Sequence, residues 1–247
     1  MRYRLTLSYA GTRYHGWQRQ PNACTVEQTV EESLSFLLRE RVEVVGCGRT
    51  DTGVHARYYV AHFDTSSPMP GEQIALRLNH MLPPDIAILG CKEAAPAFHA
   101  RYDATARTYE YWIARQKTPF LPGLAYSYTA PLDLQAMEES ARQLMGFGDF
   151  AAFCKVGSDN RTTRCRLSES TWQAQGGLLV YRVTADRFLR NMVRAMVGTL
   201  LEVGRHRRAG DLSPLASGAN RSMAGESVPA MGLYLVGVEF SGDDDKS

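Results

Sequence analysis

A single carboxylate sits among three glycines in Gly46-Cys47-Gly48-Arg49-Thr50-Asp51-Thr52-Gly53-Val54-His55-Ala56. Arg49 lies two residues before Asp51 and His55 four after it. Glycines this dense let a backbone turn where residues with a Cβ resist, and let it approach another molecule closely. Such a loop suits a carboxylate held against a substrate as a base or a nucleophile. A tight link between two strands, with Asp51 bonding its own backbone, accounts for the same composition. His55 has no Ser or Cys nucleophile beside it and reads as structural.

Two further groups could serve such a carboxylate. A flat substrate needs an aromatic platform, and Tyr109, Tyr111 and Trp112 stand together in one aromatic-rich segment. Strand alternation puts Tyr109 and Tyr111 on the same face, so spacing alone does not choose between them. An ionised carboxylate is favoured by a nearby cation, and Arg190 and Arg194 fall four apart in a segment with helical periodicity. On one helix they repel slightly unless an anion answers them. Net charge is only +2, yet 24 of the 28 cations are arginine. Arginine offers a planar fork of donors that matches phosphate and stacks on bases. The arginines cluster at 161, 164 and 166, at 187, 190 and 194, and with His206 at 205, 207 and 208. Local basic patches on a near-neutral chain fit an anionic polymer bound in a groove.

The elements that must position these groups follow from periodicity. Residues 2–9 alternate strictly, with Tyr3, Leu5, Leu7 and Tyr9 on one face, which predicts a half-buried strand. Thr25-Val26-Glu27-Gln28 has capping-box form and opens a helix carrying Val26, Val30, Leu34, Leu37 and Leu38. Strands over 41–45 and 57–64 bracket the Asp51 loop. A second helix carries Ile74, Leu78, Met81 and Leu82, and a strand covers 86–93. The order is that of the ferredoxin-like βαββαβ unit. The second half repeats it, with a strand over 105–115, a loop over 118–130, and a helix capped by Asp133. A hairpin across Gly176-Gly177, a helix over 188–203 and a last strand over 233–240 follow. The expected fold is therefore α+β: two ferredoxin-like units side by side, one extended antiparallel sheet, helices on one face and a central cleft. The units span 1–104 and 105–242, with a disordered acidic tail at 243–247.

With 44% apolar and 22% charged residues the composition is ordinary for a soluble domain. No segment resembles a signal peptide's core or the roughly 18 apolar residues of a membrane span. Five scattered cysteines without a Cys-x-x-Cys signal neither a disulfide framework nor a zinc site. The cytoplasm is the expected compartment.

Four motifs, in order, carry a resemblance that runs from Trp17 to Leu235. Gly16-Trp17-Gln18-Arg19-Gln20, the Arg49-Thr50-Asp51 loop, Arg107-Thr108-Tyr109-Glu110-Tyr111, and Phe188-Leu189-Arg190-Asn191-Met192-Val193-Arg194 resemble those of the tRNA pseudouridine synthase A family. The weakest match is 149–166. The resemblance implies that Asp51 is catalytic, that Arg194 is the basic residue paired with it, and that Tyr109 stacks on the target base. It implies that Arg49 displaces or replaces the flipped nucleotide, and that Leu233 lines the base pocket, with Leu235 an open alternative. The implied substrate is uridine 38, 39 or 40 in the tRNA anticodon stem-loop. The implied assembly is a homodimer with no other protein partner, no membrane, no cofactor and no metal. Two other classes stay open at this point. One is an RNA-binding module with Asp51 structural; the usual RNP1 pattern is absent from it. The other is an RNA-acting hydrolase, for which paired catalytic carboxylates are not visible.

Overall fold

The computed structural model describes residues 1–158, 161–216 and 219–242; the expected acidic tail lies outside the described residues. The fold is α+β, as expected. The strands are β1 (Arg2–Tyr9), β2 (Val44–Gly46), β3 (His55–Asp64), β4 (Ile86–Glu93), β5 (Ala104–Ala114), β6 (Tyr126–Ser127), β7 (Leu167–Gln175), β8 (Leu178–Ala185) and β9 (Leu233–Phe240). The helices are α1 (Val26–Leu38), α2 (Gly71–Met81), α3 (Leu134–Leu144) and α4 (Met192–Gly204). No helix among the described residues is long and apolar enough to cross a membrane.

The chain divides into two compact units, Met1–Thr105 with Leu235–Ser247, and Ala106–Tyr234. Residues 235–242, expected in the second half, belong with the first. Strand pairing is the reason, because β9 is a neighbour of β3.

In the first unit β1 lies between β4 and β3, antiparallel to both. Phe63 and Ala61 of β3 pair with Tyr3 and Leu5 on one side and with Val44 and Gly46 of β2 on the other. That is the ferredoxin-like strand arrangement. The inward residues of β1, Tyr3, Leu5, Leu7 and Tyr9, are all buried. Thr25 caps α1, its hydroxyl accepting from the Gln28 amide. This satisfies one of the amides a helix start leaves without a partner. The helix buries Val26, Val30, Leu34 and Leu38, and α2 buries Ile74 and Leu78. Met81, expected inward, is exposed. The two helices pack together.

In the second unit β8 pairs antiparallel with β5 and with β7. Asp133 caps α3 by accepting from Ala136 N at 3.0 Å, and α3 packs against β7 and α4. Two expectations fail here. The segment over 118–130 is not wholly a loop, because β6 pairs with β5 through Ile113–Tyr126 and Ala114–Ser127. That pair is parallel, so the strands are not purely antiparallel. Two residues carry no readable alternation, which is why the strand is silent in sequence. The second is the start of α4, at Met192 rather than at residue 188.

His62 on β3 is buried, and its Nδ1 accepts the Ala100 amide at 3.1 Å. Burial first, then the positive charges of Arg2 and His99, push its imidazole from 6.5 down to about 4, against the pull of Asp64 and Asp103. Because the folded state holds this base neutral, its contribution to stability is intact above pH 6.5 and is lost as pH falls towards 4. Denaturant unfolding at pH 7 and pH 5 is expected to show about 2 kcal/mol of acid destabilisation from this group. His62→Gln should flatten that slope, and an unaltered slope would place the titration elsewhere.

Candidate active site

The Asp51 loop is seated by backbone bonds from residues 10–17. Trp17 N donates to Thr50 O at 3.2 Å and Gly53 N to Tyr14 O at 3.3 Å. Val54 N closes the turn onto Asp51 O at 3.1 Å, and Cys47 N bonds Val60 O at 2.8 Å. Side chains add two ties: the Tyr9 hydroxyl meets Thr50 Oγ1 at 2.9 Å, and the Tyr59 hydroxyl donates to Gly48 O. The Asp51 residue itself is half-buried and Arg49 exposed, while Thr50 between them is buried. His55 is buried, its Nδ1 accepting Gly11 N at 3.0 Å, which agrees with a structural role.

The Gly-Trp-Gln element brackets this loop to a helix start. Gly16 O and Trp17 O accept the amides of Val26 and Glu27 at 3.2 and 3.0 Å, the first donors of α1. The Trp17 ring stacks on Tyr59 with centroids 4.0 Å apart, and its Nε1 donates to Glu27 at 3.1 Å. Burial raises the Glu27 carboxyl, opposed by the Arg19 amide, the Trp17 indole and the charge of Arg49. Trp17 is thus a core residue that holds the loop, consistent with its 2% exposure.

In the second unit the two tyrosines that spacing could not separate differ clearly. Tyr111 is fully buried, its hydroxyl donating to Pro229 O at 2.7 Å. Burial raises its phenol, with the positive charge of Arg194 pulling the other way. Tyr109 is only half-buried and meets Phe188 edge to face, centroids 5.1 Å apart at 86°. Edge-to-face contact is one of the favoured geometries for aromatic pairs, and Tyr109 is the less buried of the two rings. Leu233 and Leu235 are both buried, so burial does not separate them; Leu233 belongs to the unit of Tyr109 and Leu235 to that of Asp51.

Arg194 lies in the first turn of α4, half-buried, and its Nε donates to Val228 O at 2.8 Å. Arg190, expected on the same helix, is in the turn that precedes it and is exposed. Asn191 separates them with φ 66, a left-handed conformation that ends any helical run. The expected i,i+4 repulsion therefore does not arise. Asn tolerates that conformation better than other side-chain-bearing residues, so the Asn itself was the signal for the break.

Sequence reasoning also missed residues 224–229, an extended strap along α4. A Cβ at Gly198 would sit 1.7 Å from Glu226 O, and one at Gly225 2.7 Å from Thr199 N. Two facing glycines at those positions were the only sequence sign of so close an approach.

Comparison with known proteins bears on both units. The family model described as tRNA pseudouridine synthase matches residues 6–103 and 140–241. Those stretches include Arg49, Asp51, Arg194 and Leu233, while Tyr109 falls between them. The tRNA pseudouridine synthase A of Porphyromonas gingivalis is 47% identical over 247 residues, covering 98% of this chain and 98% of that protein. That of Parabacteroides distasonis is 45% identical over 242 residues, covering 97% and 96%. A more distant one, from Acetivibrio thermocellus, is 39% identical over 240 residues, covering 96% and 98%.

The loop's seat is testable by two glycines. Gly16 has φ +86, and a Cβ there would meet Thr50 O at 2.4 Å, whereas a Cβ at Gly48 meets nothing within 4 Å. Gly16→Ala is expected to destabilise by about 2 kcal/mol or more. Gly48→Ala should stay within about 0.5 kcal/mol. Paired denaturant titrations check both, and equal effects would mean the loop is not held through Gly16.

Proposed function

Since the chain belongs to the tRNA pseudouridine synthase family and is an isomerase of uridine in tRNA, we propose that it acts at positions 38, 39 and 40 of the anticodon stem-loop with Asp51 as the catalytic carboxylate. The observation that carries this reading is the seat of Asp51. A half-buried carboxylate stands on a loop bonded at Thr50, Asp51 and Gly53, within a motif that resembles the family's and lies in a stretch its model matches. Catalytic groups act efficiently only when held close to their productive geometry.

The reaction breaks the bond from ribose C1′ to uracil N1 and forms one from C1′ to C5; C5 loses its proton and N1 gains one, so product and substrate are isomers. No electrons are gained or lost overall, so the balance calls for no redox cofactor. The target base must first leave its stack, at a few kcal/mol. Stacking on an aromatic ring offsets that cost, a role we give to Tyr109, with Arg49 entering the space the nucleotide vacates. Asp51 either attacks C1′ or removes a sugar proton to give a glycal, and both routes need the same placement. Leu233, or Leu235 two residues further along β9, walls the base so that the freed uracil rotates instead of being lost to water. Arg194 serves as the cationic partner of the reaction, supported by its motif and by its rigid anchorage on α4. The arginine clusters take the tRNA phosphates, and a cytoplasmic homodimer lets one tRNA lie across two subunits.

Asp51→Asn is nearly isosteric and removes both base and nucleophile. Purified variant incubated with tRNA should give no pseudouridine while binding it with affinity within about threefold of the parent. Mapping of the product should place the parent enzyme's pseudouridine at 38–40. Appreciable turnover by the variant would sink the assignment of Asp51, and release of free uracil by the parent would point to a hydrolase.

A further inference from the structure

Outside the residues already given roles, a set of polar ties converges on Ser227. Its Oγ accepts from Asn191 Nδ2 at 2.5 Å and from Arg221 Nη2 at 2.8 Å. Arg221 also donates to Ala224 O at 3.3 Å, so one guanidinium grips both ends of the four-residue stretch 224–227. On the helix side, Thr199 Oγ1 accepts Gly225 N at 2.8 Å while donating to Ala195 O at 2.8 Å. At the far end of the strap Tyr111 donates to Pro229 O. Between these fixed points lies Val228, whose carbonyl receives Arg194 Nε at 2.8 Å and whose amide bonds Arg194 O at 3.2 Å.

We infer that residues 224–229 are an aiming device for Arg194, with Ser227 and Asn191 as its positioning residues. The inference rests on the role given to Arg194 above. A guanidinium is a planar fork, so fixing the Nε edge fixes the direction in which both Nη groups donate. Val228 O supplies that fixed edge. Ser227 is the residue next to it; its bond from Asn191 ties the strap to the turn that starts α4, and its bond from Arg221 ties it to residues 221–223. Asn191 is suited to its post twice over: its backbone takes the left-handed conformation at φ 66, and its side chain reaches the strap. Without these ties the strap still packs on Gly198, but Val228 O drifts and the fork with it. The carbonyl acts through geometry alone, so the loss falls on turnover and not on tRNA affinity.

The experiment measures kcat and KM for pseudouridine formation on full-length tRNA, with thermal melting of each variant. Ser227→Ala is expected to lower kcat about tenfold with KM within about twofold, and Ser227→Thr, which keeps the hydroxyl, to restore it. Asn191→Gly keeps the left-handed backbone and deletes only the side-chain bond; it should reproduce the loss even if Ser227→Ala folds poorly. In an Arg194→Lys background, which has no Nε fork to aim, Ser227→Ala should add less than about twofold. Normal kcat in both Ser227→Ala and Asn191→Gly overturns the inference, as does an undiminished tenfold effect in the Arg194→Lys background. Arg194→Ala is the separate control: normal turnover there overturns the parent role of Arg194, whatever the strap variants do.

Discussion

The placement of the Asp51 carboxylate depends on a contact in which no side chain takes part. Trp17 N reaches Thr50 O across Gly16, whose bare Cα is what lets two backbones meet. Around this contact everything else in the first unit is arranged to hold still. The same short segment caps the first amides of α1, so helix and loop share one rigid bracket. Trp17 and Tyr59 stack beneath it, and Tyr59 reaches back to Gly48. A loop ordinarily moves more than the elements it joins. This one is bonded at both ends and along its middle, which suits a group that must meet a substrate in one orientation.

The second unit repeats the device with different parts. There a strap of backbone presses onto a helix at Gly198, again through the absence of a Cβ. The two tyrosines of β5 show how burial sorts identical residues: Tyr111 spends its hydroxyl on Pro229 and its ring on the core, while Tyr109 meets Phe188 edge to face and is half-buried. In each unit a half-buried candidate stands close to a buried residue: Asp51 beside Thr50, and Tyr109 two positions from Tyr111.

Much of this was legible in the amino-acid order. Strands over 86–93 and 233–240 and the caps Thr25 and Asp133 were readable because their signals are local: alternation, and a polar residue just before an amphipathic run. The Asp51 loop was readable from its glycines, and its place in the family from its motif. What failed to show was non-local. Strand β6 is two residues long, and its identity lies in its partner β5. The strap's bonds join residues about 30 apart in sequence, such as Arg194 with Val228 and Asn191 with Ser227. The break before α4 was encoded by a single Asn against a strongly apolar helical pattern that runs through it. Arg190 was accordingly assigned to a helix it does not join.

The membership of β9 has a consequence in time as well as in space. The first unit holds the Asp51 loop, yet it takes in Leu235 and residues after it, which a ribosome adds only after the second unit. Domains commonly fold from the N-terminus as they emerge. Here the strand beside β3 is missing until synthesis has passed the entire second unit. During that interval the part of the β3 edge that β2 does not cover offers unpaired backbone groups, of the kind that invite wrong partners. The chain therefore cannot finish its N-terminal unit early, and that unit reaches its final form only when the last strand is released.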